Sequence, residues 1–115
     1  MNKEYYLKVK GRVVSGNKKG QKIGFPTINL NFKGEISGGV YAGIVKFDNQ
    51  EYKAGVVYFA DKNILEAHLL DFSGDLYGKE IEVEVGIKVR DIIKFESEEE
   101  LVRQIKQDLE IIKGN

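Results

Sequence analysis

The most regular feature of this chain is an alternating apolar pattern over residues 79–90. Every second position there is apolar, in the order Ile81, Val83, Val85, Ile87 and Val89. A period of two places such side chains together on one face of a β-strand. The pattern therefore predicts a half-buried strand.

Further strands are predicted in the rest of the chain. Weaker alternation runs through Leu7, Val9, Gly11 and Val13, and β-rich apolar runs cover residues 40–47, 52–59 and 64–72. The polar residues 48–50 between two of these runs predict a hairpin loop, and residues 73–75 (SGD) form a turn signal after the last one. A strand beginning at Thr27 would be the sixth.

The C-terminal segment has a helical pattern instead. Ser97 followed by Glu100 matches a capping box, in which side chains satisfy the unpaired amides at a helix start. Apolar residues then recur on one helical face at Leu101, Ile105, Leu109 and Ile112, and the helix is expected to end near residues 113–114. Six short strands and one amphipathic helix predict a closed or nearly closed β-barrel with the helix outside it.

Length and charge limit the domain count and the class of partner. A chain of 115 residues fits one domain, predicted over residues 1–115. Its 18 basic and 18 acidic residues cancel, whereas binding to a nucleic-acid backbone usually requires a positive excess. The charge balance therefore indicates a small-molecule ligand or a protein partner rather than a nucleic acid. Small-molecule substrates and a monomer are expected.

Composition also bears on location. The chain has no cysteine, which excludes disulfides and thiolate metal sites. No apolar run approaches the ~20 residues that span a bilayer, and the N-terminus lacks the apolar region of a signal peptide. The expected location is cytoplasmic, with no membrane partner.

The first candidate site is a loop that precedes Pro26. It contains three glycines and three lysines, namely Gly16, Gly20, Gly24, Lys18, Lys19 and Lys22. Glycines let backbone amides approach an anion closely and lysines supply positive charge, so the loop could cradle phosphates. It does not match the Walker A pattern. A solvated basic hairpin explains the same residues equally well.

Thr27 and Asn29 form the second candidate site. In a strand their side chains share one face and present a hydroxyl and an amide oxygen together. Such neutral oxygens can hold Mg²⁺ when phosphates supply the remaining ligands and the charge. The alternative is that both side chains satisfy the backbone of a turn.

The third candidate is Glu66, which lies mid-strand among apolar neighbours. A carboxylate there is costly unless it is paired, coordinated or catalytic, and Glu66 could act as a general base. His68 is the only histidine and is assigned no catalytic role. The alternative for Glu66 is an ordinary surface-facing strand residue.

Four motifs follow one another in the order and spacing of a known family. They are Gly11-Arg12-Val13 with the glycine loop and residues 24–29 (GFPTIN), Gly39-Val40-Tyr41, residues 66–79 (EAHLLDFSGDLYGK), and Val89-Arg90 with Lys94-Phe95 before the helix. Over nearly its whole length the chain thereby resembles the riboflavin kinase (flavokinase) family.

This resemblance implies a six-stranded antiparallel Greek-key β-barrel with one C-terminal α-helix, and an enzyme that uses ATP to phosphorylate riboflavin to FMN. It implies Glu66 as the base, Thr27 and Asn29 as ligands of Mg²⁺ and of the nucleotide, and Arg90 and Phe95 in a flap over the flavin. The remaining nucleotide contacts it implies are Gly16, Lys18, Gly20 and Lys22.

The chain departs from the family pattern before Glu66. Residues 61–63 form a shorter connection without the usual proline, and Ile28 stands where alanine is usual. The shorter connection leaves open a non-catalytic flavin- or nucleotide-binding module on the same barrel. A barrel that binds oligonucleotides through aromatic residues and the lysine loop is a weaker alternative. The resemblance does not include the adenylyltransferase domain of many bacterial relatives, so the expected product is FMN.

Overall fold

The computed structural model describes residues 6–16 and 18–114, apart from the side chain of Lys19. Its elements follow the chain in the order β1 (Leu7–Arg12), α1 (Lys19–Lys22), β2 (Ile28–Asn31), β3 (Gly39–Phe47), β4 (Gln50–Phe59), β5 (Ile64–Leu69), β6 (Glu80–Arg90) and α2 (Glu98–Lys113). In this part of the chain no helix is both long enough and apolar enough to cross a bilayer.

The strands form one sheet in the order β1-β6-β3-β4-β5-β2, and every pair is antiparallel. β3, β4 and β5 form two consecutive hairpins. β2, which precedes them in the chain, pairs with the last of these strands, β5, and this is a Greek-key arrangement. The two sheet ends meet where the N–H of Val14 donates to the carbonyl of Asn29 at 2.8 Å. The predicted six-stranded antiparallel barrel, nearly closed, is confirmed.

The inner face of the barrel holds the core. Its largest fully buried side chains belong to Tyr58, Leu30, Leu65, Val45, Val56, Val83 and Val85. In β5, Leu65, Ala67 and Leu69 point inward, and the side chains between them therefore face outward. This alternation places Glu66 on the outer face of the barrel.

The alternation in β6 holds only for its first half. Ile81, Val83 and Val85 are buried, but Ile87 is 38% exposed. The pairing of β6 with β3 shifts register twice, between Val40 and Tyr41 and between Tyr41 and Gly43. An extra residue in one strand turns the following side chains to the other face. The predicted inward direction of Ile87 was wrong for this reason.

Three boundaries also differ from those expected. β5 ends at Leu69 rather than residue 72, and Asp71 has a left-handed backbone with φ of 57°. The hairpin between β3 and β4 turns on Asp48 and Asn49 alone, both with positive φ, as two-residue type I′ turns require. The glycine loop contains the four-residue helix α1, and Thr27 lies just before β2.

Helix α2 begins as predicted. The hydroxyl of Ser97 accepts from the N–H of Glu100 at 3.1 Å, and the carboxylate of Glu100 accepts from the N–H of Glu96 at 3.3 Å. The helix packs on the outside of the barrel, where a Cβ on Gly55 would lie 3.2 Å from Cδ1 of Ile112. A groove is thereby formed between the helix and the outer face of β4 and β5.

Candidate active site

A cavity of about 700 Å³ lies between the outer face of β4 and β5, residues 90–98 and helix α2. This volume is typical of small-molecule sites. Most of its wall is apolar and comes from Ile23, Phe25, Val40, Val57, Phe59, Ile92, Ile93, Phe95, Leu101, Ile105, Leu109 and Ile112. The polar and charged residues in the wall include Thr27, Lys62, Glu66, His68, Arg90 and Asp108.

One row of strand partners crosses the outer face of the barrel. Asn29 lies opposite Glu66, Glu66 opposite Val57, Val57 opposite Val40, and Val40 opposite Arg90. Partners in antiparallel strands carry side chains on the same face, about 5 Å apart. The row therefore places the predicted base between an amide on one side and an apolar surface on the other.

The carboxyl of Glu66 is half-buried in this cavity. Burial raises the pKa of Glu66 above its ordinary value, because the charged form loses water, while the nearby Lys62 ammonium lowers it. Lys62 belongs to the short turn between β4 and β5, where its N–H donates to the carbonyl of Phe59 at 3.1 Å. The turn between β4 and β5 thus places a cation near the carboxyl of Glu66.

Thr27 lines the cavity, whereas Asn29 is 8% exposed and does not. The amide of Asn29 lies against the backbone of Gly16, where a Cβ would come within 2.1 Å of Nδ2. Gly16 is therefore the residue that leaves room for this amide.

Among the described residues, no cluster of histidine, cysteine or acidic side chains could hold a metal. A hydroxyl and an amide fit Mg²⁺ when phosphates supply the charge.

Of the four loop residues predicted to bind the nucleotide, Gly20 lines the cavity, as do Ile23 and Phe25 of the same loop. A Cβ on Gly20 would lie 2.3 Å from the carbonyl oxygen of Phe25, and the N–H of Phe25 donates to the carbonyl of Gly20 at 2.7 Å. Gly16, Lys18 and Lys22 are exposed and lie outside the cavity wall. Their contact with a nucleotide stays a prediction. Asn17 lies outside the described residues.

Arg90 and Phe95, the predicted flavin contacts, both line the cavity. The guanidinium of Arg90 lies 5.7 Å from the ring centre of Phe95. Its Nε donates to both carboxylate oxygens of Asp108 at 3.0 Å, its Nη2 lies 2.9 Å from Oδ2, and its Nη1 donates to the carbonyl of Asp91. Arg90 therefore holds the segment after β6 against helix α2.

Asp108 was not among the predicted site residues, although the sequence contains a signal for it. Asp108 stands four residues before Ile112 and seven after Leu101, on the apolar face of the helix. An acid at such a position requires a partner. Asp108 is 4% exposed and also accepts from the amide of Gln104 at 3.0 Å.

Comparison with known proteins gives one family. The model of the family described as Flavokinase (riboflavin kinase) matches residues 3–114. A bifunctional riboflavin kinase/FMN adenylyltransferase of Haemophilus influenzae is 40% identical over 113 residues, which cover 90% of this chain and 37% of the relative. The RNA-binding riboflavin kinase RibR of Bacillus subtilis is 35% identical, over 90% of this chain and 49% of the relative. The chain thus spans less than half the length of these relatives.

Two solved structures share the fold. The structure described as the macrolide-efflux protein of Streptococcus pneumoniae has a TM-score of 0.80 and 32% identity, over 93% of this chain and 36% of that one. The riboflavin kinase of Trypanosoma brucei has a TM-score of 0.69 and 23% identity, over 93% of this chain and 77% of that one. At 23% identity, the second likeness concerns the fold alone.

Proposed function

The chain belongs to the riboflavin kinase family, and we propose that it transfers the γ-phosphate of ATP to the 5′-hydroxyl of riboflavin, giving FMN and ADP. The observation that carries this proposal is the position of Glu66. Its carboxyl is half-buried in the cavity, with a raised pKa, beside apolar residues that suit a flavin ring. On the other side of the carboxyl lies the Thr27–Asn29 segment.

The proposed mechanism starts at the ribityl chain. Glu66 takes the proton of the terminal hydroxyl, and that oxygen attacks the γ-phosphorus. The bond between the γ-phosphorus and the bridging oxygen of ADP breaks, and ADP leaves. Phosphoryl transfer depends mainly on alignment and charge neutralisation, so one base in a fixed position is sufficient protein chemistry. A raised pKa brings the base closer to the pH at which it must accept a proton.

The same proposal assigns the substrate contacts. Mg²⁺ bound with ATP would neutralise charge on the phosphates, and the oxygens of Thr27 and Asn29 would hold it. Backbone and ammonium groups of the glycine loop would bind the phosphates, at Gly16, Lys18, Gly20 and Lys22. Phe95 and the Arg90 guanidinium that lies near its ring would cover the flavin.

The proposal extends to the setting of the reaction. We propose a single domain over residues 1–115 that acts as a monomer on small molecules in the cytoplasm. Its net charge of zero supports a site that does not serve nucleic acid or a membrane surface. The named RNA-binding activity of the Bacillus relative is a property of that protein.

The test is a chromatographic assay of FMN in mixtures of protein, riboflavin, Mg²⁺ and ATP. Wild type should form FMN, and Glu66→Gln should form roughly 10²- to 10⁴-fold less, the usual contribution of a general base. Glu110→Gln makes the same chemical change at an exposed residue of α2 outside the cavity wall, and it should match wild type.

Two outcomes would contradict the proposal in different ways. Equal FMN formation by wild type and Glu66→Gln would remove Glu66 as the base. No FMN from wild type, with riboflavin fluorescence still quenched on binding, would identify a non-catalytic flavin-binding module and implicate the short turn before β5.

A further inference from the structure

His68 shares the face of Glu66 and has no part in the chemistry described above. It stands two residues after Glu66 on the outer face of β5, is half-buried, and lines the same cavity. Its Nδ1 lies 2.7 Å from the carbonyl oxygen of Pro26, and its ring meets that of Phe25 edge-on at 5.6 Å.

The bond to Pro26 fixes the tautomer of His68. A carbonyl oxygen can only accept a hydrogen bond, so Nδ1 must carry the proton and donate it. Proline has no N–H, and this carbonyl is the only backbone polar group of Pro26. The bond therefore ties a residue of the loop directly to the strand that carries Glu66.

The tied segment is the one that presents Thr27. Extending the pairing of β2 with β5 by one residue places Thr27 opposite His68, just as Asn29 lies opposite Glu66. On its other side the segment is held by the hydrogen bond from Phe25 to Gly20. The loop is thus hydrogen-bonded to β5 at Pro26, the residue directly before Thr27.

We propose that His68 is a positioning residue, whose Nδ1–H bond to the Pro26 carbonyl sets the distance between Thr27 and Glu66. The inference rests on the proposed function, in which Thr27 binds Mg-ATP and Glu66 activates riboflavin. In-line phosphoryl transfer requires both substrates to be aligned, and a displacement of about 1 Å can cost ~10²-fold in rate.

Two amide substitutions separate this role from simple packing. In His68→Asn the side-chain nitrogen lies the same number of bonds from Cβ as Nδ1, so it can still donate to Pro26. In His68→Gln the nitrogen lies one bond further, where Nε2 was, and the bond is lost. Both variants are neutral and polar, and asparagine has the smaller side chain. A role in packing or charge would therefore cost His68→Asn at least as much activity as His68→Gln.

The experiment measures kcat/KM for Mg-ATP at saturating riboflavin, together with the thermal midpoint of each protein. His68→Asn should stay within about threefold of wild type, and His68→Gln should lose roughly 10- to 100-fold. Equal losses in both variants, or no loss in either, would overturn the proposal. Comparable thermal midpoints are expected, because His68 is only half-buried.

A second measurement tests the hydrogen bond between His68 and Pro26 independently of enzyme activity. Long-range ¹H–¹⁵N spectra of the imidazole in the wild-type protein should show the proton on Nδ1, and a proton on Nε2 alone would overturn the inference. Should wild type form no FMN, the proposed function fails. In that case the affinity of wild type and both variants for Mg-ATP is measured by calorimetry instead of kcat/KM. Equal affinity in the three proteins, or no binding by any of them, would overturn the positioning role as well.

Discussion

At Glu66, burial and a neighbouring charge act on one carboxyl group in opposite directions. Burial, the larger effect, raises the pKa and Lys62 lowers it, so the ammonium of Lys62 limits the rise of the pKa above its ordinary value. The base works in its deprotonated form. Activity should therefore be lost as pH falls through the pKa of Glu66, and the acid limb of the kcat/KM profile should lie above the ordinary glutamate value.

Lys62→Met is the variant that tests this. Because the ammonium lowers the pKa of Glu66, its removal should raise that pKa and move the acid limb to higher pH. Lys62→Arg keeps the positive charge and should leave the limb near its wild-type position. The measurement is kcat/KM for riboflavin as a function of pH. An acid limb that moves to lower pH in Lys62→Met, or does not move, contradicts the assignment.

Single residues of the site were predictable where the pattern itself was unusual. A carboxylate in the middle of an apolar strand pointed to Glu66, and spacing by two put Thr27 and Asn29 on one face. The effect of Lys62 was not predictable, because it depends on the tight turn that returns the chain into β5. The bond from His68 to Pro26 joins residues far apart in sequence, and no local pattern reports such a contact.

Among the elements, the segment after β6 and helix α2 are joined by one buried ion pair. The side chains of Arg90 and Asp108 are 19% and 6% exposed, and the carboxylate receives hydrogen bonds from both Arg90 and Gln104. A charge left alone in such a place is costly. The pair therefore holds residues 91–97, which include part of the cavity wall, against helix α2.

Asp108→Asn should lower the free energy of unfolding by about 2 to 3 kcal/mol, because it leaves the Arg90 guanidinium without a counter-charge. Urea denaturation checks this, with Glu110→Gln as the control on an exposed acid of the same helix. Arg90→Met combined with Asp108→Asn should recover part of the loss, since neither charge then remains unpaired. Losses that simply add in the double variant would show that the two side chains are not coupled.

Elements with a sustained pattern were predictable, and those determined by their neighbours were not. The capping box and apolar spacing identified α2 nearly to its ends, and β6 was clear from its alternation. The register shifts near the end of β6 depend on β3, so the outward turn of Ile87 could not be inferred. Helix α1 has four residues, which is too short for a periodic signal.

On the scale of the whole molecule, the barrel and helix α2 pack against each other. Ile112 is 2% exposed and contacts the barrel at Gly55, a position without a side chain of its own. The strand number and the outer helix followed from the sequence, while the pairing of β2 with β5 that closes the Greek key joins segments that no local pattern connects. The shared packing implies that helix and barrel unfold together.

Ile112→Ala and Ile111→Ala test this with the same substitution at adjacent positions. Ile112→Ala should cost about 2 to 4 kcal/mol of unfolding free energy, because it removes buried methyl groups and leaves a cavity. Ile111 is 52% exposed, so its replacement should change stability by less than about 0.5 kcal/mol. Far-ultraviolet circular dichroism follows the helix. Tyrosine fluorescence, with no tryptophan present, follows the barrel, whose strands carry Tyr41, Tyr52 and Tyr58. Because helix α2 packs on the barrel, both signals should give one midpoint in each variant. A helix signal lost before the tyrosine signal in Ile112→Ala would mean that α2 is a separate unit, and that the cavity can lose one wall while the barrel stays folded.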